Sequence, residues 1–238
     1  MTMTLKRTGA WSMTEHMMDY HCRLLACTSC ASADVAEAVE AMTLLYEKAA
    51  IRHFCLALPF DASRESVSAF LIRRRRLEDA LRPYLLRENR FDAEIMAAVL
   101  LVPNLHEERG LDRLRLAKSG YLPLCLPLGS FPDWADFELN RLLFKAHVNR
   151  LLFLSFDRAS LFYTEETVDR LLRIPNAVFQ LRYPMDAPSE LHLKMEKKKI
   201  GAVFGTEISS ITSAYRFCMN FDKKSATETC VPIADGIL

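Results

Sequence analysis

The chain has 238 residues, of which 50% are hydrophobic and 26% are charged, as in an ordinary globular protein. Its 31 basic and 30 acidic side chains leave a net charge of +1, which gives no reason to expect nucleic acid or an anionic membrane as the main partner. No segment approaches the roughly 20 apolar residues that span a bilayer, and the opening MTMTLKRTGAWSMTEH lacks the apolar core of a secretory signal. Seven scattered cysteines favour reduced thiols, so we expect a cytoplasmic protein.

Short apolar runs alternate with helical patterns along most of the chain. Apolar spacings of three or four predict a helix at 33–49, and IRHFCLAL at 51–58 is typical of a buried strand. A second helical pattern at 63–81 is expected to end at Pro83. Further strands are predicted at 121–128, 150–156, 176–183 and 201–207, with helices at 137–148, 164–172 and 189–199.

This alternation predicts a parallel sheet with helical crossovers, either an α/β barrel or a doubly wound sheet. The chain contains neither GxGxxG nor GxxxxGK[ST], so the usual phosphate-binding loops of nucleotide folds are absent. Ligands of α/β folds bind beyond the carboxyl ends of the strands. The segments expected to close the strands are 21–23, 58–61, 92–95, 126–130, 155–158, 182–184 and 206–210.

The stretch DYHCRLLACTSC, residues 19–30, concentrates three cysteines and one histidine. Cys22, Cys27 and Cys30 follow the C-x4-C-x2-C spacing of plant-type ferredoxins, which need a fourth cysteine further along the chain. His21 could join the thiolates at a zinc ion, although a second ligand pair of suitable spacing is missing. The third interpretation is that small thiols simply pack beneath a loop.

A resemblance to a known family offers another explanation. MDYHCRLLACTSCASADVAEAVEAM resembles the opening of the bacterial PHP-type (polymerase and histidinol phosphatase) tyrosine phosphatases of capsule and exopolysaccharide operons, which begin with Asp-x-His-Cys-His. Six further segments resemble later family motifs in the same order: AIRHFCLALPF, FDAEI, YLPLCLPL, RLLFLSFDR, FQLRY and GAVFGTEISS. The resemblance covers about residues 18–210 and implies a distorted (β/α)7 barrel, a TIM-like α/β fold in a single domain.

The domain boundaries follow from the extent of that resemblance. We expect residues 1–17 to be a disordered N-terminal extension and residues 18–215 to be the barrel. Residues 216–238 depart from the family pattern and are expected to form a C-terminal segment or tail.

The resemblance implies a cluster of divalent cations, often manganese, held by histidines and carboxylates at the strand ends. Such ions lower the pKa of a bridging water and neutralise the charge of the phosphoryl oxygens. Residue by residue, the resemblance retains only His21, Glu94 and Glu207 as vestigial metal ligands, a number that would hold one ion in an open, zinc-type site. Other family ligand positions carry Arg23, Ser29, Cys30, Pro59, Ser155 and Ser209.

Arg23 is the most informative of these replacements. A guanidinium beside Glu94 and Glu207 would place fixed positive charge where the resemblance implies a cation. Together with Arg158, it would form a bidentate phosphate-binding cradle. Alternatively, Arg23 only fills an abandoned cavity with a salt bridge. No serine–histidine–acid constellation is predicted at the strand ends, which disfavours nucleophilic hydrolysis.

Three functions therefore stay open. The first is a PHP-type tyrosine phosphatase of capsule or exopolysaccharide regulation with weak or no catalysis, and the second is a non-catalytic phosphotyrosine- or anion-binding pseudophosphatase. An iron–sulfur or zinc protein built on the cysteine cluster is the third. The resemblance implies manganese or another divalent metal as cofactor. Because most of the metal ligands are replaced, this cofactor would be lost. The resemblance also implies the phosphotyrosine tail of a bacterial tyrosine kinase as partner, and a homo-oligomer without nucleic acid or membrane insertion.

Overall fold

The computed structural model describes residues 17–25, 32–117, 119–144, 148–182 and 189–224. Seven parallel strands lie in one sheet, and their order in the sheet is their order in the chain. The strands are β1 (Met17–Cys22), β2 (Ile51–Phe60), β3 (Asp92–Leu100), β4 (Leu122–Cys125), β5 (Leu151–Leu154), β6 (Ala177–Arg182) and β7 (Ala202–Gly205). Parallel neighbours throughout make every connection a crossover, as the strand–helix alternation predicts.

Helices form most of these crossovers. They are α1 (Ser32–Ala49), α2 (Val67–Glu88), α3 (Asp133–Phe144), α4 (Phe156–Ala159), α5 (Glu165–Leu171), α6 (Glu190–Lys197) and α7 (Ile211–Lys224). The connection between β3 and β4 instead carries two short 3₁₀ turns, Leu105–Glu107 and Leu111–Leu114. None of the helices in the described ranges is long and apolar enough to cross a membrane.

The sheet curls into a nearly closed barrel. Just beyond β1 and β7, the N–H of Arg23 donates to the carbonyl of Ile208 and the N–H of Glu207 donates to the carbonyl of His21, both at 2.8 Å. These two hydrogen bonds join the first strand of the sheet to the last at their carboxyl ends. The barrel is therefore tied at the edge where an α/β fold places its ligand site.

Alternating side chains divide the core into an inner and an outer layer. In β5, Leu152 and Leu154 point into the barrel, whereas Leu151 and Phe153 point toward the helices. The inner layer is completed by smaller or slimmer side chains, among them Cys55, Ala57, Met96, Ala98, Val178 and Val203. The outer layer holds the buried phenylalanine rings, of which Phe153 and Phe179 stack at 5.3 Å between centroids.

One predicted helix boundary is wrong. Helix α2 does not end at Pro83 but continues to Glu88, where Asn89 adopts a left-handed conformation and its N–H bonds to the carbonyl of Leu85. Burial of Leu81 and the packing of Leu85 against the core hold the last turns in place, which outweighs the one hydrogen bond that proline removes. Residues 1–16 and residues 225–238 lie outside the described residues.

The C-terminal helix α7 packs against α1. Residue 215 falls inside this helix, and Phe217 and Cys218 are buried against the core. The side chain of Glu37 in α1 accepts a hydrogen bond from the N–H of Ile211 at 3.2 Å, which satisfies a free donor at the start of α7. The predicted boundary between barrel and C-terminal segment at residue 215 stays a prediction.

A buried acid fixes the connection between β3 and β4. The Glu138 carboxylate accepts hydrogen bonds from the N–H groups of Asn104 and His106, at 3.1 and 2.5 Å, and from Nδ1 of His106 at 2.8 Å. Arg141 lies 2.7 Å from the other ring nitrogen of His106, and its guanidinium covers the Phe137 ring. Neither His106 nor Glu138 was identified from the sequence.

Replacing Glu138 tests this anchor. In Glu138→Gln, the side-chain nitrogen cannot accept a hydrogen bond, so one buried donor of the connection loses its partner. We expect the free energy of unfolding to fall by about 1–3 kcal/mol. Urea denaturation measures the loss, with the exposed Asp112→Asn as a matched control that is expected to be neutral. Equal unfolding midpoints for wild type and Glu138→Gln would contradict the proposed anchor.

Candidate functional site

The amide of Gln180 connects three strands at the carboxyl-terminal mouth of the barrel. Its oxygen accepts hydrogen bonds from the N–H of Ser155 at 2.6 Å and from Nδ1 of His21 at 2.9 Å, and its nitrogen donates to the carbonyl of Leu181. Because a backbone N–H requires an acceptor, the oxygen must face Ser155. Nδ1 of His21 therefore carries the proton, and Nε2 keeps its lone pair.

His21 is a buried, neutral imidazole. Burial lowers its pKa to about 4, the hydrogen bond to Gln180 opposes that shift, and the positive charge of Arg23 adds to it. A glycine makes room for the ring, because a Cβ at Gly205 would lie 2.7 Å from the Cβ of His21 and 2.9 Å from the side-chain nitrogen of Gln180. Only glycine fits this position without displacing the histidine.

Both carboxylate oxygens of Asp19 accept hydrogen bonds from neighbouring residues. Its carboxylate accepts from the N–H of His21 at 3.0 Å, from the N–H of Thr206 at 2.9 Å and from the Thr206 hydroxyl. Burial raises its pKa, although these hydrogen bonds oppose the shift. The contacts lock the irregular end of β1 onto the residues that follow β7. Asp19 thereby fixes the direction in which His21 points.

Two residues of the mouth have left-handed backbones. Ser155 has a φ of 50° and Glu207 a φ of 54°, both rare for residues with a side chain. The Ser155 hydroxyl lies 3.2 Å from Nδ1 of His21, and its interaction with Glu207 lowers the pKa of that carboxyl group. Strained conformations of this kind concentrate at functional sites.

These contacts overturn one sequence-based prediction in part. Ser155, His21 and Glu207 do meet, although no serine–histidine–acid constellation was predicted. The arrangement nevertheless differs from a catalytic triad, because Nδ1 of His21 donates to Gln180 and cannot accept the hydroxyl proton of Ser155. Nucleophilic attack by Ser155 with His21 as its base is not supported by this geometry.

Two carboxylate oxygens of the mouth are buried without a partner among the described residues, Oε1 of Glu207 and Oδ1 of Asp157. The other oxygen of Asp157 accepts from Nε of Arg182 at 2.9 Å. Burial raises the pKa of Glu207, as does the charge of Asp157, while the Ser155 hydrogen bond and the charges of Arg182 and Arg158 lower it. Glu207 is thus held closer to its protonated form than an exposed glutamate.

Both predicted phosphate-binding arginines lie at this mouth. Arg158 is exposed in α4 and acts electrostatically on Glu207. Arg23 follows β1 and acts on His21 and on Cys125, the last residue of β4. Burial raises the pKa of Cys125 to about 12, Arg23 opposes the shift and Glu207 adds to it, which places both charges near the same thiol. No ion pair joins Arg23 to a carboxylate of the described residues.

Glu94 does not lie where the sequence placed it. It is the third residue of β3 rather than the end of a strand, so the prediction that 92–95 closes a strand is wrong. The apolar residues 95–100 form the rest of β3. Glu94 accepts a hydrogen bond from the Cys55 thiol at 3.4 Å and lines a cavity of about 690 Å³ between the end of α2 and the start of β3. No contact within the described ranges joins Glu94 to His21 or Glu207.

The donor set does not fit a cluster of metal ions. Within the described ranges, no three histidine, cysteine, aspartate or glutamate side chains are grouped so that they could hold one. The two unpartnered oxygens of Glu207 and Asp157 remain the best metal-ligating atoms at the mouth, and the charges of Arg158 and Arg182 act on Glu207. Fewer than three ligands do not make even an open zinc-type site.

The cysteine cluster is described only in part. Cys27 and Cys30 lie outside the described residues, so the iron–sulfur and zinc interpretations stay untested there. Cys22 is buried, burial raises the pKa of its thiol well above the usual value, and the thiol lies 3.8 Å from the carbonyl of Ile208. A thiol in this state is a packed core group rather than a thiolate ligand.

Comparison with known proteins identifies the fold. No protein-family profile matches the chain, and no curated protein sequence matches it. Among solved structures, the chain is similar to one from the crystal structures of YwqE from Bacillus subtilis and CpsB from Streptococcus pneumoniae, unique metal-dependent tyrosine phosphatases. The TM-score is 0.63 at 14% sequence identity, over 89% of each chain. The chain shares the barrel fold of that structure. The predicted distorted (β/α)7 barrel is confirmed.

The raised pKa of Glu207 predicts a pH-dependent effect on stability. An acid whose pKa is raised by folding stabilises the protein fully below its unfolded value of 4.5, and this contribution is lost as the pH rises through the folded value. Glu207→Gln cannot ionise, so we expect it to melt at a higher temperature than wild type at pH 7. The difference should disappear below pH 4.5.

Thermal denaturation at both pH values measures this effect. The exposed Glu166→Gln, which also removes one negative charge, serves as the control and should change the melting temperature little at either pH. A Glu207→Gln variant that is less stable than wild type at pH 7 would show that the carboxylate is stabilised there by an attraction that the described contacts lack.

Proposed function

We propose that this PHP-type barrel binds a phosphomonoester, in particular a phosphotyrosyl group, at the mouth without hydrolysing it efficiently. The observation that carries the proposal is that Arg23 and Arg158 lie at the mouth, where no metal-holding group of three side chains is found among the described residues. Guanidinium groups bind phosphate through paired hydrogen bonds and stay charged at every physiological pH. They would supply the positive charge that a cation supplies in a metal-dependent phosphatase.

The neighbouring acids do not cancel this positive charge. Asp157 is already engaged with Arg182, and burial raises the pKa of Glu207 and so weakens its tendency to ionise. A protonated Glu207 would donate a hydrogen bond to a phosphate oxygen instead of repelling it. His21 is neutral, and its Nε2 lone pair is left as a hydrogen-bond acceptor. The mouth therefore favours an anion over a cation.

Efficient hydrolysis needs an activated water, for which this mouth provides weak support. Metal ions supply such a nucleophile by lowering the pKa of a bound water. With no metal-holding group in the described ranges, Nε2 of His21 would be the general base, and its low pKa makes it a poor one at neutral pH. Binding without efficient turnover follows from these two points.

A second function is favoured by the likeness to the metal-dependent tyrosine phosphatases. In that case His21 and Glu207 would hold one divalent ion, such as manganese, and residual phosphatase activity would survive. By resemblance, either function would act in capsule or exopolysaccharide regulation, in the cytoplasm, on the tyrosine-rich tail of a bacterial tyrosine kinase. A homo-oligomer is proposed on the same basis.

Binding of a phosphotyrosine peptide tests the proposal directly. Fluorescence anisotropy in the presence of a chelator compares a labelled phosphopeptide with its unphosphorylated form on the full chain. We expect Arg23→Gln and Arg158→Gln each to weaken phosphopeptide binding about tenfold, because each removes a charge-assisted hydrogen bond worth roughly 1.5–3 kcal/mol.

Arg173→Gln provides the matched control. This arginine is exposed just after α5, at the end of the barrel opposite the mouth, so its loss should not change the affinity. Equal binding of both peptide forms, or phosphopeptide binding unaffected in both mouth variants, would remove the proposed anion cradle.

A further inference from the structure

Large apolar side chains are exposed on the connections that leave the barrel mouth, two of them close to Arg158 in the chain. We call Leu128, Trp134, Leu161 and Phe162 the apolar rim, and their exposed fractions are 62%, 36%, 74% and 56%. Leu128 and Trp134 follow β4, and the other two follow β5, so all four lie on connections that leave the carboxyl ends of the strands. Exposed apolar groups that gather at one place on a monomer mark an interaction surface.

The two connections that carry the apolar rim are fixed to each other. The Tyr163 hydroxyl donates to the carbonyl of Pro127 at 2.5 Å, and the ring of Tyr163 meets Phe131 edge to face at 5.0 Å. Leu128 directly follows Pro127, and Phe162 directly precedes Tyr163, so these contacts bring Leu128 and Phe162 close to each other. A surface held in this way loses little conformational entropy on binding.

Part of the apolar rim follows directly in the chain from the short helix α4, which carries Arg158. Arg158 lies in α4, which leads directly into the 3₁₀ turn Ser160–Phe162 that carries Leu161 and Phe162. One short helical segment thus presents a guanidinium and, within one turn, two exposed apolar side chains. A ligand that places an anion on Arg158 would lay its neighbouring groups over the rim.

Acidic residues border the other side of the apolar rim. Glu165 and Glu166 begin α5, Asp133 begins α3, and all three are exposed. These charges would repel anionic lipid headgroups and acidic flanking residues. The combination selects a ligand whose negative charge is confined to one phosphoryl group and whose neighbouring groups are apolar.

We propose that the apolar rim binds aliphatic or aromatic side chains next to the phosphotyrosine of a polypeptide ligand. The proposal rests on the proposed function and adds to it a preference for the residues around the phosphorylated position. Phosphate contacts would anchor the ligand, and burial of apolar area on the rim would discriminate among sequences.

Binding measurements with four peptides on the full chain test the apolar rim. One peptide carries leucine and phenylalanine beside the phosphotyrosine, the second carries serine at the same positions, and each is also measured unphosphorylated. We expect wild type to bind the apolar phosphopeptide at least tenfold tighter than the serine phosphopeptide. In the double variant Leu161→Ser/Phe162→Ser, both phosphopeptides should bind with the affinity of the serine form.

Leu86→Ser is the matched control, since Leu86 is as exposed as Leu161 but lies near the end of α2, at the opposite end of the barrel. It should keep the full preference. Equal affinities of the two phosphopeptides for wild type, or a preference that survives in the double variant, would overturn the rim proposal and leave the proposed function standing. If neither phosphopeptide binds better than its unphosphorylated form, both proposals fail.

Two further outcomes would assign the apolar rim to another partner. Sedimentation velocity of wild type and the double variant shows whether the rim joins two copies of this chain. Co-sedimentation with phosphatidylcholine–phosphatidylglycerol vesicles shows whether it meets a membrane. Loss of self-association or of vesicle binding in the double variant, together with equal phosphopeptide affinities, would overturn the peptide proposal.

Discussion

The buried amide of Gln180 sets the chemistry of the barrel mouth. Its oxygen holds the N–H of Ser155 and the protonated Nδ1 of His21 at once, and this double contact fixes both the strained strand end and the tautomer of the imidazole. With that proton committed, His21 cannot activate Ser155, and its low pKa keeps it neutral. The mouth is consequently rigid and poor in general bases. Its remaining charged groups then decide what it binds.

Those charged groups are the basis of the proposed anion site. A cluster of divalent ions requires many converging oxygen and nitrogen ligands, and the described residues bring together fewer than three. Arg158 and Arg182 act electrostatically on Glu207, Arg23 acts on the Cys125 thiol, and burial raises the pKa of Glu207. In the proposed function, fixed protein charge stands in for the cation of a metal-dependent phosphatase. Such a mouth would recognise phosphate without a metal, and it would lack the means to activate water.

Local patterns predicted most of the fold, but not the contacts that define the site. Apolar runs located β2 and β5 to β7, because a buried parallel strand is continuously apolar. They could not show where β3 begins, so Glu94 was assigned to the wrong end of a strand. Gln180 and His21 are 159 positions apart, and no local pattern joins them. One signal was present: Gln180 is a polar residue inside an otherwise apolar strand, and buried amides need partners.

The most direct test of the central claim is the manganese content of the full-length protein after equilibrium dialysis against Mn²⁺, measured together with aryl-phosphate hydrolysis. The account predicts less than one retained ion per chain and no manganese-dependent turnover, while phosphotyrosine still binds in the presence of a chelator. Retention of one or more ions per chain with brisk, manganese-dependent hydrolysis would contradict it.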